Sequence, residues 1–523
     1  MNEFHVTRRA VMAGMAAASA LGLPRPAGAQ TPEDVLVVGH VAELQTLDPA
    51  QAVTISDFRI LCNIYDSLLH YKPGSLEAEP GLAESWTVSP DGLAYTFNLR
   101  KGVKFHDGTD FNADAVKFNF DRVLDPNHPY HNTGPFPFVF ILGPITRTEV
   151  INPYQVVLHL SEPYAPGLTC LAGALGGLAG ISPAAVKKYG KDFARNGGGT
   201  GPFKFTEWVS GQRFVLEANK DYWRGAPKLS GIVFRPIIDE NARVSEMLSG
   251  GTDITIEVPP DNIATFTASK QFTFYQQPGP HLWYLMLNIR TKPFDDKRVR
   301  QAANYAINKL AMVQDILKNT ATDASSVTPP AFTWAYDTDL KPYPYDPAKA
   351  KRLMAEAGYA KGVDVTFYVT ESGSGMLSPV LMGTALQADL AAVGIRAKIE
   401  TFEWNTFLGK LLPTMPADVG MAEMSFMTQD PDMHPYLALR TGAPVNSGGY
   451  SNPKVDALIE QGRRTQGDAE RAPLYKELQV VVYDDAPWLF VCNWIQNAVS
   501  SAHVKGFELS PSFTTPFYTT SKA

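Results

Sequence analysis

Cysteine is scarce in this chain: Cys62, Cys170 and Cys492 are the only three in 523 residues. They can close at most one disulfide, which excludes a cysteine-stapled scaffold, and burial as inert thiols is expected for all three. Past its first stretch the sequence also lacks any run of about 18 uninterrupted apolar residues, so no membrane-spanning helix is expected in the mature chain. Charge is thin as well. Charged residues make up 19% of the chain, the formal net charge is −7, and no run of one sign occurs, which makes nucleic acid and anionic lipid poor partners. Enzyme signatures are missing too. No Ser stands in a G-x-S-x-G elbow, no H-E-x-x-H occurs, and Ser451 to Lys454 has S-x-x-K spacing without a downstream K-T-G. His128 and His131 share H-x-x-H spacing in a Pro-rich segment with no third ligand, which favours a structural role over a metal. The pair Asp295-Asp296 stands at a helix start, where the dipole favours carboxylates without any catalysis.

What is present begins with an export signal. Thr7-Arg8-Arg9, an apolar Ala/Gly/Leu run from Ala10 to Leu23, and Ala27-Gly28-Ala29 form a secretory signal peptide over residues 1–29, cleaved after Ala29. The paired arginines resemble a twin-arginine signal, with the Sec route left open. Removing this segment takes away Arg8, Arg9, Arg25 and Glu3, so the net charge of −7 becomes −9. The remainder is too long for one core and implies two or three domains.

Along the chain, VLVVGH from Val35 reads as a buried strand. Phe58, Leu61, Cys62, Tyr65 and Leu69 recur at helical spacing behind a cap at Ser56 or Asp57, and Glu84 to Lys104 alternates around Pro90-Asp91-Gly92 as a hairpin. The Gly-rich NGGGTGPFKFTEW lacks the GK[ST] of a nucleotide-phosphate loop and reads as a tight turn. HLWYLMLN from His281 is short and nearly all apolar, the mark of a strand buried on both faces, and WLFVCNW is its counterpart near the end. Between them lies helix-to-strand wiring of the α/β kind, including helices at Ser378 to Val393 and Pro473 to Asp485. Two apolar strands bracketing about 200 residues of such pattern mark an inserted lobe joined by two connections, which make a hinge.

The stretch Phe426 to Tyr450, FMTQDPDMHPYLALRTGAPVNSGGY, is dense in Asp, Pro, Gly and aromatic residues and reads as a long shaped loop over a ligand cleft. Aromatic faces with a few directed polar groups suit small-molecule recognition. The candidates of this kind are Phe58, His281, Trp283, Trp404, Phe426, Asp430, Asp432, His434 and Tyr450. A buried ligand ammonium would need a carboxylate, which favours Asp430. Two other readings use the same residues: a metal-complex receptor drawing on His281 or His434, and a secreted hydrolase using Asp430 and Asp432 as a carboxylate pair. Two residues apart on one loop is a poor arrangement for opposed attack.

An ordered series of longer segments narrows these readings. YDSLLHY, GLAESWTVSPDGLAYTFNLRKGVKFHDGTDFNADAVKFNF, GTGPFKFTEW, NKDYWRGAPKL, LNIRTKPFDDKRVRQAANYAINK, YPYDPAKAKRLMAEAGY, GYSNPKVDALI and DDAPWLF resemble, over nearly the whole mature chain, the family 5 extracellular solute-binding proteins. These are peptide and nickel receptors of ABC importers, and members also take up glutathione, opines and sugars. The resemblance implies an α/β, two-lobed periplasmic-binding-protein fold of cluster C type, with no enzymatic activity and no cofactor. It divides the chain into the signal, first-lobe parts at 30–70 and 182–282, an extra subdomain at 71–181, a second lobe at 283–492 and a first-lobe return at 493–523. It further implies a periplasmic monomer that captures a di- or oligopeptide or an amino-acid-derived compound and delivers it to an inner-membrane permease. Asp430, with Asp432 as the alternative, would meet the ligand's α-amino group, and Trp404, His281 and Trp283 would line the cavity. Met433-His434-Pro435 and the HLW before the crossing strand depart from the pattern of the peptide receptors.

Overall fold

The computed structural model describes residues 32–173, 177–373 and 375–523. The signal peptide and its cleavage site lie outside them. The chain opens with β1 (Val35–His40) and α1 (Ile55–Leu61). Helix α1 is capped by Thr54, whose side chain accepts from the Asp57 amide, and not by Ser56 or Asp57. It also stops before Tyr65 and Leu69, so the expected spacing carries past the real helix. A four-stranded antiparallel sheet follows, ordered β2-β3-β5-β4, from β2 (Ala83–Val88), β3 (Ala94–Leu99), β4 (Ile145–Asn152) and β5 (Gln155–Leu160), with α2 (Ala113–Leu124) capped by Asn112. Short helices α3 (Gly167–Ala172) and α4 (Pro183–Tyr189) lead to β6 (Phe203–Val209), β7 (Arg213–Ala218) and β8 (Gly231–Pro236). The Gly-rich strap before β6 is a close backbone approach: a Cβ on Gly199 would lie 2.1 Å from the Ile64 carbonyl oxygen, so only glycine can lie against the chain leaving α1.

Helix α5 (Glu240–Leu248), β9 (Ile254–Ile256) and β10 (Phe272–Pro278) bring the chain to the crossing. After Gly279-Pro280 comes β11 (His281–Leu287), all seven residues buried as its apolar run requires. The second lobe adds α6 (Lys297–Ala306), β12 (Ala321–Asp323), α7 (Pro347–Glu356), β13 (Val363–Thr370), α8 (Pro379–Ala392), β14 (Ile395–Phe402), α9 (Trp404–Leu411) and β15 (Val419–Met427). Then come α10 (Met433–Ala438), α11 (Pro453–Arg464), α12 (Asp468–Asp485) and β16 (Trp488–Ser501).

Strand β16 is the spine. Its N-terminal half pairs with β11, Trp488 opposite Met286 and Cys492 opposite Trp283, and its C-terminal half pairs with β10, Ile495 opposite Pro278 through Ser501 opposite Phe272. Both passages between the lobes therefore meet at 278–281 and 492–495. The shared sheet runs β14-β13-β15-β11-β16-β9-β1-β8-β7-β6, with a separate apolar core on each side.

Two expectations are corrected here. Residues 426–450 are not one irregular loop: Phe426 and Met427 finish the central strand β15, and α10 follows. Pro435 is tolerated because it sits third in that helix, where an N–H would have no intrahelical acceptor. Helix α12 also begins at Asp468, five residues before Pro473.

Candidate functional site

The candidates fall into three groups. The first surrounds the crossing. The His281 ring Nε2 lies 2.9 Å from the Gly375 carbonyl and donates to it, which leaves Nδ1 as a bare acceptor with no partner among the described residues. Burial pushes the His281 pKa down to about 4, so the ring is neutral. Trp283 is fully buried and its indole donates to the Met376 carbonyl at 3.0 Å. It is a wall of the second-lobe core, not a cavity surface. Trp404 is half-buried and packs against Gly373, where a Cβ would come within 2.6 Å of the ring. All three thus bear on the same short stretch, through Gly373, Gly375 and Met376.

The second group is an aromatic stack. His434 lies between Phe426, 4.9 Å away and nearly parallel, and Trp488 at 5.0 Å, with its Nε2 3.1 Å from the Tyr284 hydroxyl. Burial lowers its pKa to about 3. A neutral imidazole wedged between rings is packing. Among the described residues no group of three His, Cys, Asp or Glu side chains could hold a metal ion. Tyr450 stands apart, its hydroxyl donating to Asp485 at 2.6 Å.

The third group carries the charge. Asp430 and Asp432 are each 1% exposed. Arg471, on the first turns of α12, donates to both Asp430 oxygens, and Arg463, at the end of α11, donates to Asp432 at 2.6 Å. Burial works against the Arg471 charge, but the Asp430 carboxylate outweighs it and holds its pKa well above the ordinary value. Burial pushes the Asp432 carboxyl up to about 6 against the opposing pull of Arg463. Each aspartate is thus held by an arginine, Asp430 through both oxygens and Asp432 through one, its Oδ1 having no partner among the described residues. Both arginines sit in the second lobe, and the first lobe closes over them: Thr169 donates to Asp430 at 3.2 Å and the Ala165 amide to the Arg463 carbonyl at 2.8 Å. The Arg463 guanidinium lies 4.4 Å above the Tyr164 ring, and Arg464 pairs with Glu162 at 2.7 Å. Met433 and Leu437 of α10 are part of the first-lobe core.

Nearer the crossing the two lobes meet through apolar side chains. Ile55 and Phe513 of the first lobe meet Leu377 and Met427 of the second in one apolar cluster with Trp494. Phe58 is 6% exposed, its ring 6.5 Å from Phe138, and Val53, ahead of the same helix, is 43% exposed. Gln429, which sequence reasoning passed over, is pressed against Gly173 of the first lobe. Arg463 and Arg471 were missed as well. A buried arginine on a helix has no local signature.

Two lobes joined by two strands, with buried aspartates near their contact held by arginines, are the architecture of a hinged binding protein. The family model for bacterial extracellular solute-binding proteins, family 5, matches residues 77–447. The chain belongs to that family, whose members are periplasmic binding proteins of ABC importers and not enzymes. It is 33% identical to heme-binding protein A of Haemophilus influenzae over 87% of this chain and 86% of that one. It is 34% identical to a glutathione-binding protein of Escherichia coli over 92% of each. The solved structure of the periplasmic binding protein DppA of Helicobacter pylori in complex with the peptide STSA superposes with a TM-score of 0.80 at 29% identity, covering 93% of this chain and 98% of that one. Among the described residues no helix is long and apolar enough to cross a membrane.

Proposed function

We propose that this protein captures a short peptide or peptide-like solute in the periplasm by hinge closure and hands it, unaltered, to an ABC permease. The observation that carries the reading is the pair of passages at 278–281 and 492–495, set beside a rim where Thr169, Ala165 and Glu162 reach the second lobe. A guest bound to one lobe gains contacts to the other and shifts the population to the closed form. The glutathione-binding and peptide-bound relatives support the guest class.

The guest-facing surfaces in this reading are Phe58 and Val53 on one side and Trp404, Phe426 and Gln429 on the other. Asp430 and Asp432 instead brace Arg471 and Arg463, so guest recognition rests on neutral hydrogen bonds and ring faces. The same pairing argues against a hydrolase, since an aspartate held by a buried arginine is a poor general base. Lobe boundaries at 283 and 492, a monomeric state and cleavage after Ala29 belong to this reading as well. Native mass spectrometry of protein taken from its own periplasm tests it. A retained peptide-class mass, released intact, is expected; a metal chelate or a cleaved product would overturn it.

A further inference from the structure

A cavity of about 250 Å³ lies within the first lobe, walled by residues between Pro49 and Arg224 and between Glu508 and Thr519. No residue of the second lobe lines it, so the space exists whether the hinge is open or closed. Its inner wall is α1, through Phe58, Leu61 and Cys62, and its sides are Tyr65, Tyr71 and Tyr222.

The three tyrosine hydroxyls of these walls are already engaged. The Tyr65 hydroxyl donates to the Leu47 carbonyl, Tyr71 to the Thr169 carbonyl and Tyr222 to Asp66. Asp66, the one buried charge on the wall, also accepts from the Trp223 indole at 3.0 Å, and the Cys62 thiol donates to the Arg59 carbonyl. Burial pushes that thiol up to about 12, so it stays neutral. The interior therefore offers ring faces and aliphatic carbon with no free charge, while charges of both signs, Lys72, Glu79, Arg224 and Glu508, stand along the rest of the lining. A charged group pressed against α1 and the tyrosine rings would find no partner on that side.

The cavity wall also touches the second lobe. Gly173 is part of its wall, and a Cβ there would fall 2.5 Å from the Gln429 side chain of the second lobe. Ser512 and Thr514 line it too, and Phe513 between them packs with Leu377 and Met427 of the second lobe.

We propose that this first-lobe cavity is a preformed subsite for an uncharged, ring-bearing or aliphatic group of the guest, filled before closure, with Gly173 and the Ser512–Thr514 stretch as the wall that the second lobe then presses upon. The proposal rests on the receptor reading above and names the chemistry of one end of the guest.

The probe is 5-bromoindole, neutral and of suitable size, with indole-3-acetate as its charged counterpart. Calorimetry on the mature wild-type protein is expected to show saturable one-to-one binding of 5-bromoindole and binding at least tenfold weaker for the anion. Anomalous diffraction should place the bromine between Phe58 and Tyr222. Cys62→Phe, which fills the cavity from a helix end that accepts any L-residue, should abolish binding without shifting the melting temperature by more than a few degrees. A bromine found only in the interlobe cleft, equal affinity for the anion, or no saturable binding to the wild type would each overturn the proposal. The wild-type bromine position decides the matter even if Cys62→Phe misfolds. A periplasmic solute that is not peptide-like would remove the proposed guest class and leave the bromine result standing.

Discussion

Arg471 holds Asp430 by two hydrogen bonds, one from each terminal nitrogen of its guanidinium to one carboxylate oxygen, in a setting where both side chains are almost fully buried. A pair of this kind costs more to break than it gives when made, because the partner left behind is a desolvated charge. Arg471→Ala is therefore expected to destabilise the full chain by about 3–5 kcal/mol, read as a fall in the chemical-denaturation midpoint. Asp430→Asn should lower that midpoint in the same direction by less, since one oxygen remains to accept. A change confined to guest affinity, with stability untouched, would return Asp430 to the role of ligand for an ammonium.

The rim pair behaves differently. Arg464 and Glu162 are 55% and 38% exposed, and water screens such pairs to about 0–1 kcal/mol. Glu162→Ala should leave the melting temperature nearly unchanged while favouring the open form. Small-angle scattering without guest would then show a larger radius of gyration than wild type, and an identical curve would show that this contact does not bias closure.

Glu423 supplies a pH dependence. Its side chain is fully buried between β15 and α8, one oxygen accepting from the Thr370 amide at 2.6 Å and the other without a partner among the described residues. Burial raises its pKa from 4.5 to about 8. The folded state thus holds the proton more tightly than the unfolded state does. Stability from this group is complete below about pH 4.5 and is lost as pH climbs towards 8. Glu423→Gln keeps the shape and removes the titration. The wild-type melting temperature minus that of Glu423→Gln should fall between pH 5 and pH 8; a flat difference would show that the carboxyl is hydrated in solution.

At the crossing, a Cβ on Gly279 would lie 2.3 Å from the Phe513 ring. That ring is stacked 5.0 Å from Trp494. Gly279→Val should displace the ring and destabilise, whereas Gly279→Val with Phe513→Ala should cost less than the sum of the two single changes by at least about 1 kcal/mol. A double-mutant cycle with no coupling would mean that the ring moves aside freely.

Much of this architecture was legible in the residues. The uninterrupted apolar run of HLWYLMLN could only be a strand covered on both faces, and β11 is that strand. Asn112, Ser182 and Asp346 cap their helices for a reason equally local, since each side chain answers an unpaired amide of the first turn. The charged part of the site was not. Pro473 looked like the first residue of its helix, which left Arg471 in what read as a connecting loop; the helix begins at Asp468 and carries Arg471 inward to Asp430. Ion pairing across 41 residues of sequence leaves no periodic trace. The turn chemistry of Asp430-Pro431-Asp432 was recognisable, but whether those carboxylates would find arginines or a guest depended on a fold that composition does not encode. Trp283 shows the same limit, since only its neighbours reveal that the indole closes a core.

Strand β16 keeps one ladder with β11 and another with β10, and the two ladders meet end to end within four residues. Swinging the halves apart therefore asks for torsion at a handful of backbone bonds, while the rungs on either side stay intact. A pivot of this kind would open without any melting of the sheet, which leaves the strength of the grip to the surfaces that meet.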